Sequence, residues 1–400
     1  MKQLRYLLKR EFKLFLTNKT MLSVFFIAPV FYALLMGFTY KSGKVTDIPV
    51  IVVNYDKTPL SYQIIDMLND NKSIKVLNYG EEPPVIKDEV IKTEAGAVVI
   101  IPERFEANIL QKKYPEINVY INTSNVLTAN FASKAIQLTL GTFSAGVDIK
   151  ALQKKGMSAE QAKMNIEPFK ANYITLFNTT GNYLVFMWPA LMAVVLQQVI
   201  LLAMAVTFSE EFKRESFIKD FAGKHKYAVL VMAIKCLPVW LFSNFNILIF
   251  YLCSIYFKIP APENVANFFL LTAVFIVAAT NLGVLVSIII PDALKATQIL
   301  MVIASPAFII SGFTWPTYAM PSFIANFTNI IPLTPYLEAL KIMVVEKGSD
   351  YLTYKYFWHL FILGWVYFIL GWIALKIKIN MLFKAHHIVE NYEGQEIDPE

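Results

Sequence analysis

Residues able to carry out catalysis are sparse in this sequence, and their spacing excludes the usual sites. Gly-Lys pairs occur at 43–44 and 223–224, but Val and His follow them. Neither pair completes the Gly-x-x-x-x-Gly-Lys-Ser/Thr loop that cradles nucleotide phosphates. Cys236 and Cys253 are about 25 Å apart if they share a helix, too far for a disulfide. We expect no catalytic residue, no metal site and no cofactor bound by this chain.

The segment 209–232 is dense in charges of both signs and also carries an apolar stripe. From residue 210 it runs Glu-Glu-Phe-Lys-Arg-Glu-Ser-Phe and continues to a Gly-Lys pair. An exposed amphipathic helix of mixed charge is suited to docking a soluble protein. The alternative, a solvated charged loop, stays open. The residues expected to carry the docking are Glu211, Arg214, Glu215, Phe217 and Phe221.

Residues 1–19 have a second amphipathic pattern. Leu4, Leu7, Leu8, Phe12 and Phe15 recur at helical spacing with basic residues between them. This predicts a basic helix lying in the membrane interface. A plain positively charged anchor for the apolar segment that follows is the alternative.

A third segment, 314–350, is apolar but rich in proline. Four prolines within twenty residues cannot continue a spanning helix, and no charge occurs in the segment before Glu338. We predict a re-entrant turn or a pair of short helices in the outer leaflet, covered by protein. The residues of interest are Ser311, Gly312, Phe313, Trp315, Pro316, Pro321, Pro332 and Pro335.

These segments must be positioned by membrane spans. Apolar residues make up 56% of the 400 residues and charged residues only 16%, against about 25% in soluble proteins. A bilayer core needs about 20 apolar residues per helix. We predict an α-helical polytopic membrane protein with six transmembrane helices, at 20–40, 180–208, 233–257, 265–290, 296–313 and 356–377.

Basic residues predict which side of the membrane each loop occupies. They concentrate before the first span, between the second and third spans, and after the sixth, in the tail 378–400. Six spans place these three regions on one side, which the positive-inside rule makes cytoplasmic. We therefore expect a multi-pass protein of the cell (inner) membrane with both termini inside. Because the net charge of +6 lies beside spans, we expect contact with membrane lipid and no nucleic acid.

The long segment 41–175 between the first two spans reads as an inserted mixed α/β domain outside the cytoplasm. Apolar runs at 48–54, 74–78, 95–101 and 117–121 predict four strands, and helices are predicted at 61–68 and 126–155. About 130 residues can bury a core of their own. Without a catalytic constellation, the domain is interpreted as a binding or docking module.

Several motifs together resemble one family of transporters. Ser-Gly-x-x-x-Pro at 311–316 is followed by Met-Pro at 320–321 and by Pro-Leu-Thr-x-x-Leu-Glu-Ala-Leu at 332–340. This order is similar to the signature of ABC-2 type exporter permeases. The charged segment 209–232 resembles their cytoplasmic coupling segment. Residues 48–76 and 97–105, the latter a strand followed by Pro-Glu-Arg-Phe, resemble the extracytoplasmic domain of the subgroup with a large first outer domain.

The resemblance implies a function and a set of partners. It implies the permease subunit of an ATP-driven exporter that moves a hydrophobic or amphipathic, drug-like or lipid-like substrate out of the cytoplasm or inner leaflet. A separate ABC ATPase subunit would bind ATP and Mg. A second copy or a homologous permease would complete the pathway, and a periplasmic adaptor protein stays open. Apart from the resemblance, the fixed prolines and the small Ser311-Gly312 joint predict that the segment after them closes the pathway on the outer side, with Phe313 and Trp315 as plugs. A plain cap on the turn between the fifth and sixth spans is the alternative.

Two other functions are alternatives to an exporter. A membrane-anchored sensor or assembly protein would use the inserted domain as a receptor. A secondary carrier is disfavoured because the predicted spans contain no Asp or Glu, whereas ion-coupled carriers normally need carboxylates there.

The orientation is testable with single cysteines in a background that lacks Cys236 and Cys253. Asn122→Cys should react with a membrane-impermeant thiol reagent added outside intact cells, because its domain is expected outside. Lys219→Cys should react only after the cells are opened. Labelling of Lys219→Cys alone in intact cells would reverse the orientation.

Overall fold

The computed structural model describes residues 2–79, 85–166, 174–213, 217 and 228–393. It divides into two compact units. The membrane unit comprises Met1–Gly43 and Thr175–Glu400, and the inserted unit comprises Lys44–Ile174.

Helices dominate the described part of the chain, and the four strands found there lie in the inserted unit. The elements are α1 (Lys2–Thr17), α2 (Lys19–Leu22), a π-helical turn (Ser23–Ile27), α3 (Ala28–Thr39), β1 (Ile48–Asn54), α4 (Pro59–Asn69), β2 (Ile74–Tyr79), α5 (Ile86–Thr93), β3 (Ala97–Ile101), α6 (Phe105–Leu110), β4 (Asn118–Ile121), α7 (Val126–Gln153), α8 (Ala159–Ile166), α9 (Tyr183–Lys213), α10 (Ala228–Tyr256), α11 (Val265–Ile289), α12 (Ala293–Ile310), a 3₁₀ turn (Thr317–Ala319), α13 (Ser322–Thr328), α14 (Leu333–Leu340), a π-helical turn (Lys341–Glu346), a 3₁₀ turn (Asp350–Thr353) and α15 (Tyr354–Glu393).

The inserted unit is built on a sheet of order β2-β1-β3-β4. β1 pairs in parallel with β2 and β3, and β4 runs antiparallel to β3 at the edge. Alternate residues of β1 enter different cores: Val50 and Val52 pack with α4 and α7, whereas Ile51 and Val53 pack on the opposite face with α5. Burial on both faces explains why β1 and β3 are continuous apolar runs. The four predicted strands are confirmed.

Six helical segments in the described part of the chain are long and apolar enough to cross a membrane. They are Lys19–Thr39, Tyr183–Lys213, Ala228–Tyr256, Val265–Ile289, Ala293–Ile310 and Asp350–Leu382. The predicted fold class is therefore confirmed, a six-span helical membrane protein with a mixed α/β insertion between the first two spans. The second candidate span, α9, continues past the predicted end at 208 to Lys213, so it includes two glutamates.

Helix α11 forms the centre of the membrane unit because small residues let both neighbours approach it closely. A Cβ atom added to Gly283 would lie 2.5 Å from Met204 Cβ of α9. On the other side, Asn281 donates a hydrogen bond of 3.0 Å to the Gly364 carbonyl of α15. Close helix packing through small residues is a main source of stability inside membranes.

This packing predicts opposite effects for two glycine substitutions. Gly283→Ala should destabilise the protein by about 1–3 kcal/mol, because its methyl group would collide with Met204. Gly141→Ala, in α7, should be neutral or stabilising by about 0.5–1 kcal/mol, because nothing lies within 4 Å of the new Cβ and alanine favours helix. Melting temperatures of the purified variants measure both effects, and equal values would contradict the close α9–α11 contact.

Candidate coupling site and outer segment

The N-terminal helix α1 packs against α10 through a single stripe. Leu7, Glu11 and Phe15 follow one another at intervals of four residues, and all three are buried. Phe15 stacks on Phe242 of α10 with ring centroids 5.1 Å apart. The amphipathic helix is thus a packed part of the membrane unit. Its position in a membrane interface stays a prediction.

Four charged side chains from α1, α9 and α10 meet at this contact. Lys235 Nζ lies 2.8 Å from Glu211 Oε1 and 3.4 Å from Glu11 Oε1. Arg10 Nη1 bridges the same two carboxylates, at 2.6 Å from Glu11 Oε1 and 2.8 Å from Glu211 Oε1. We call Arg10, Glu11, Glu211 and Lys235 the ionic cluster. It links residues more than 200 positions apart in the chain.

The ionic cluster is buried and contains equal numbers of positive and negative groups. The Lys235 side chain is 0% exposed, and the two glutamates are 8% and 9% exposed. The Lys235 ammonium group also lies 5.2 Å from the centroid of the Phe208 ring, a favourable position for a cation. Charges in such surroundings are stable only when paired, so removal of one partner leaves a costly buried charge. The cluster therefore fixes α1, α9 and α10 relative to one another.

The C-terminal end of α9 is also joined to α11 and α12. Ser287 Oγ of α11 accepts hydrogen bonds from the backbone N–H groups of Phe208 and Ser209, at 3.0 and 3.1 Å. It donates one to the Ala205 carbonyl at 3.0 Å. At the surface, Lys213 Nζ lies 3.3 Å from the carboxylate of Asp292, the N-cap of α12. Displacement of this end of α9 would thus reach α1, α10, α11 and α12.

The structure describes two of the five predicted docking residues. Glu211 was expected to be exposed, but it is only 7% exposed and belongs to the ionic cluster. Phe217 is also buried, with its ring centroid 5.0 Å from that of Phe212. Arg214, Glu215 and Phe221 lie outside the described residues. The expectation of an exposed docking face was therefore wrong at Glu211 and Phe217, because both turn into the bundle.

Three members of the ionic cluster were not among the predicted site residues. Glu11 is the only acidic residue in 1–19 and has the same helical spacing as Leu7 and Phe15. Lys235 follows an apolar run as the only charge near the start of the third span. Each position signals a buried charge that requires a partner. The identity of the partner cannot be read from spacing.

The prolines of the segment 314–350 stand at the starts of its short helices. Pro316 precedes the 3₁₀ turn Thr317–Ala319, Pro321 precedes α13 and Pro332 precedes α14. Pro335 lies in the first turn of α14. Helix starts tolerate proline because the missing N–H would have no intrahelical partner there. The predicted short helices are present, and their depth in the membrane stays a prediction.

The turn that leads into this segment is tightly packed at Gly312. Ser311 is buried and its hydroxyl accepts a hydrogen bond of 3.3 Å from the Phe313 amide. Gly312 has a φ of +91°, which L side chains rarely adopt. Phe313 is buried and stacks on Phe186 of α9 with centroids 4.8 Å apart. Trp315 is 58% exposed, so within one chain only Phe313 is packed into the bundle.

Comparisons with known proteins identify the family of this chain. A family model described as "ABC-2 family transporter protein" matches residues 19–376. The chain is 24% identical to ABC transporter G family member 20 of Dictyostelium discoideum over 365 residues, 90% of this chain and 48% of that protein. It is 17% identical to the probable multidrug ABC transporter permease YbhR of Escherichia coli K12 over 84% of this chain and 88% of that one. The chain thus spans about half the length of the first of these relatives.

Removing charges from the ionic cluster should be strongly non-additive. Lys235→Met should destabilise the protein by about 3–5 kcal/mol, because two buried glutamates would share Arg10 alone. Lys235→Met combined with Glu211→Gln should be less harmful than Lys235→Met by itself, since the charges balance again. Thermal unfolding of the purified variants gives these values.

Lys213→Met is the matched control. It breaks the Lys213–Asp292 pair, in which the lysine side chain is 66% exposed, and should change stability by at most about 1 kcal/mol. Purely additive effects of Lys235→Met and Glu211→Gln would contradict direct pairing within the ionic cluster. A charge reversal at Glu211 is a poor test of docking, because it would place a third positive charge beside Lys235 and Arg10.

Proposed function

Because this chain belongs to the ABC-2 family of transporter proteins, we propose that it is the permease of an ATP-driven exporter for hydrophobic or amphipathic molecules. The observation that carries the proposal is a single family match that runs through all six candidate spans. The name of the bacterial relative, a probable multidrug permease, supports a drug-like substrate, and a lipid-like one has the same apolar chemistry. Export would proceed from the cytoplasm or the inner leaflet.

The energy would come from an ABC ATPase, since the 400 residues contain no phosphate-binding loop of their own. ATP and Mg would bind to that partner. Two permeases, identical or homologous, would face each other across the pathway. A periplasmic adaptor is a further candidate partner, and the termini would be cytoplasmic.

The ionic cluster supports a route from the ATPase to the spans. Residues 214–227 connect Glu211 at the end of α9 with the start of α10. Arg214, Glu215 and Phe221 remain candidates for the contact with the ATPase. A push on this connection would reach Glu211 first, and the ionic cluster would transmit it to α1 and α10. The cluster is then a positioning device, and the docking face is formed by neighbouring residues.

At the other end, the turn at Ser311-Gly312 supports a gate. Phe313 fills the space beside Phe186, and Trp315 is exposed at the same turn. Gly312 lies just after α12, and any side chain at this position would meet Thr317 and Glu338. A movement of α12 relative to α14 would therefore act first on Gly312.

The function is tested by reconstituting the permease and its copurifying ATPase in liposomes. ATP should drive a fluorescent apolar dye across the membrane, and ATP with an ATPase-inactive partner should not. If no ATPase copurifies and no transport occurs, the sensor function would be the better explanation.

In the same assay, Gly312→Val should lower ATP-driven transport about tenfold or more, because the new Cβ would lie 2.7 Å from Thr317 Cγ2 and 3.1 Å from Glu338 Oε1 in a strained backbone. Gly181→Val is the control, since Gly181 also has a positive φ, +61°, but nothing lies within 4 Å of its Cβ position. Phe313→Ala with Trp315→Ala should instead raise dye leak without ATP. Equal transport by both valine variants, together with an unchanged leak, would contradict the gate.

A further inference from the structure

Helix α14 is buried at every position except one. Leu333, Thr334, Pro335, Tyr336, Leu337, Ala339 and Leu340 are all buried, whereas Glu338 is half-buried. The Glu338 carboxylate lies beside the turn that follows α12, with Oε1 3.1 Å from the position that a Cβ of Gly312 would occupy. A charged group thus faces the joint of the proposed gate.

Glu338 has no side-chain hydrogen bond and no ion pair among the residues that the structure describes. The nearest lysine along the segment, Lys341, pairs instead with Glu346, at 3.7 Å. Burial raises the pKa of Glu338 above its usual range, and the neighbouring positive charges of Lys341 and Lys355 only partly offset this. A half-buried carboxylate without a partner is costly, and a carboxylate perturbed by its surroundings marks a candidate functional site.

Aromatic rings are concentrated around the same turn. Phe313 follows Gly312, stacks on Phe186 and has the Phe308 ring 6.0 Å away. Trp315, three residues beyond Gly312, is exposed. Aromatic faces attract cations, most strongly those that are weakly hydrated. An unpaired carboxylate next to such rings matches a lipophilic organic cation, whose charge needs a counter-ion and whose body needs apolar contact.

We propose that Glu338 binds the positively charged group of the transported molecule at the outer end of the pathway, so that lipophilic organic cations are a substrate class of this permease. The inference rests on the proposed function, and it adds a charge preference that apolar export alone does not require. The cation takes the position of the missing partner of Glu338, beside the joint at Gly312. An anion of the same size and shape is disfavoured there.

Two isosteric probes isolate the charge. Tetraphenylphosphonium is a cation and tetraphenylborate is an anion of nearly the same shape. Binding of each is measured on the permease–ATPase complex in nanodiscs without ATP, with empty nanodiscs subtracted. Glu338→Gln should weaken tetraphenylphosphonium binding about tenfold and leave tetraphenylborate binding unchanged or tighter, because only the charge is removed.

Glu263→Gln is the matched control. It removes the same charge from an exposed position in the loop before α11 and should change neither affinity by more than about twofold. Equal weakening of both probes by Glu338→Gln, an unchanged cation affinity, or absence of tetraphenylphosphonium binding to the unmodified complex would each overturn the proposal. ATP-driven transport of a neutral dye by the unmodified and Glu338→Gln complexes is measured in parallel. If the unmodified complex transports the dye but the two probes show no charge-dependent change in binding, this inference alone is overturned. If the unmodified complex does not transport the dye, the exporter function is overturned.

Discussion

Lys235 is wholly enclosed by the helices of an apolar bundle, and an ammonium group in that position is stable only beside negative charge. Glu211 provides that charge from α9 and Glu11 provides it from α1, while Arg10 balances the second carboxylate. Separation of α9 from α10 would break the 2.8 Å contact between Lys235 and Glu211. Separation of α1 would remove the contacts of Arg10 with Glu211 and of Glu11 with Lys235, so the N-terminal helix is held by ion pairs as well as by its apolar stripe.

The two ends of the membrane unit differ in whether their charged groups have partners. At the ionic cluster every charged group has a partner, so the arrangement resists change and transmits displacement. At the turn after α12, the Glu338 carboxylate has no side-chain hydrogen bond or ion pair among the described residues, and it faces Gly312, whose φ is positive. Under the proposed mechanism, this end would respond to a molecule that arrives, and the first would respond to a push. Between them, α11 is packed closely against both α9 and α15.

Sequence patterns were sufficient where a residue's environment depends on its near neighbours. The runs that form β1 and β3 are apolar at every position because both sheet faces are covered. The number of spans could be predicted for the same reason, since the hydrocarbon core of the bilayer sets the apolar length of each crossing helix. The environment of Glu211 could not, because its partners Arg10, Glu11 and Lys235 come from distant parts of the chain. A charged residue near a span end looks the same in a sequence whether it faces water or a buried lysine.

If α9 tilted as a rigid body, the hydroxyl of Ser287 would be its pivot. The three hydrogen bonds of this hydroxyl with the backbone of Ala205, Phe208 and Ser209 attach α9 to α11 near the C-terminal end of α9. Measured from Ser209 at 1.5 Å per residue, the arm to Lys213 is about 6 Å long, whereas the arm back to the proline at 189 is about 30 Å long. A tilt that moves the short arm by about 1 Å would carry the far end of the long arm by roughly 5 Å, in the opposite direction. The mechanical gain favours a small stroke at one membrane surface and a wide one at the other.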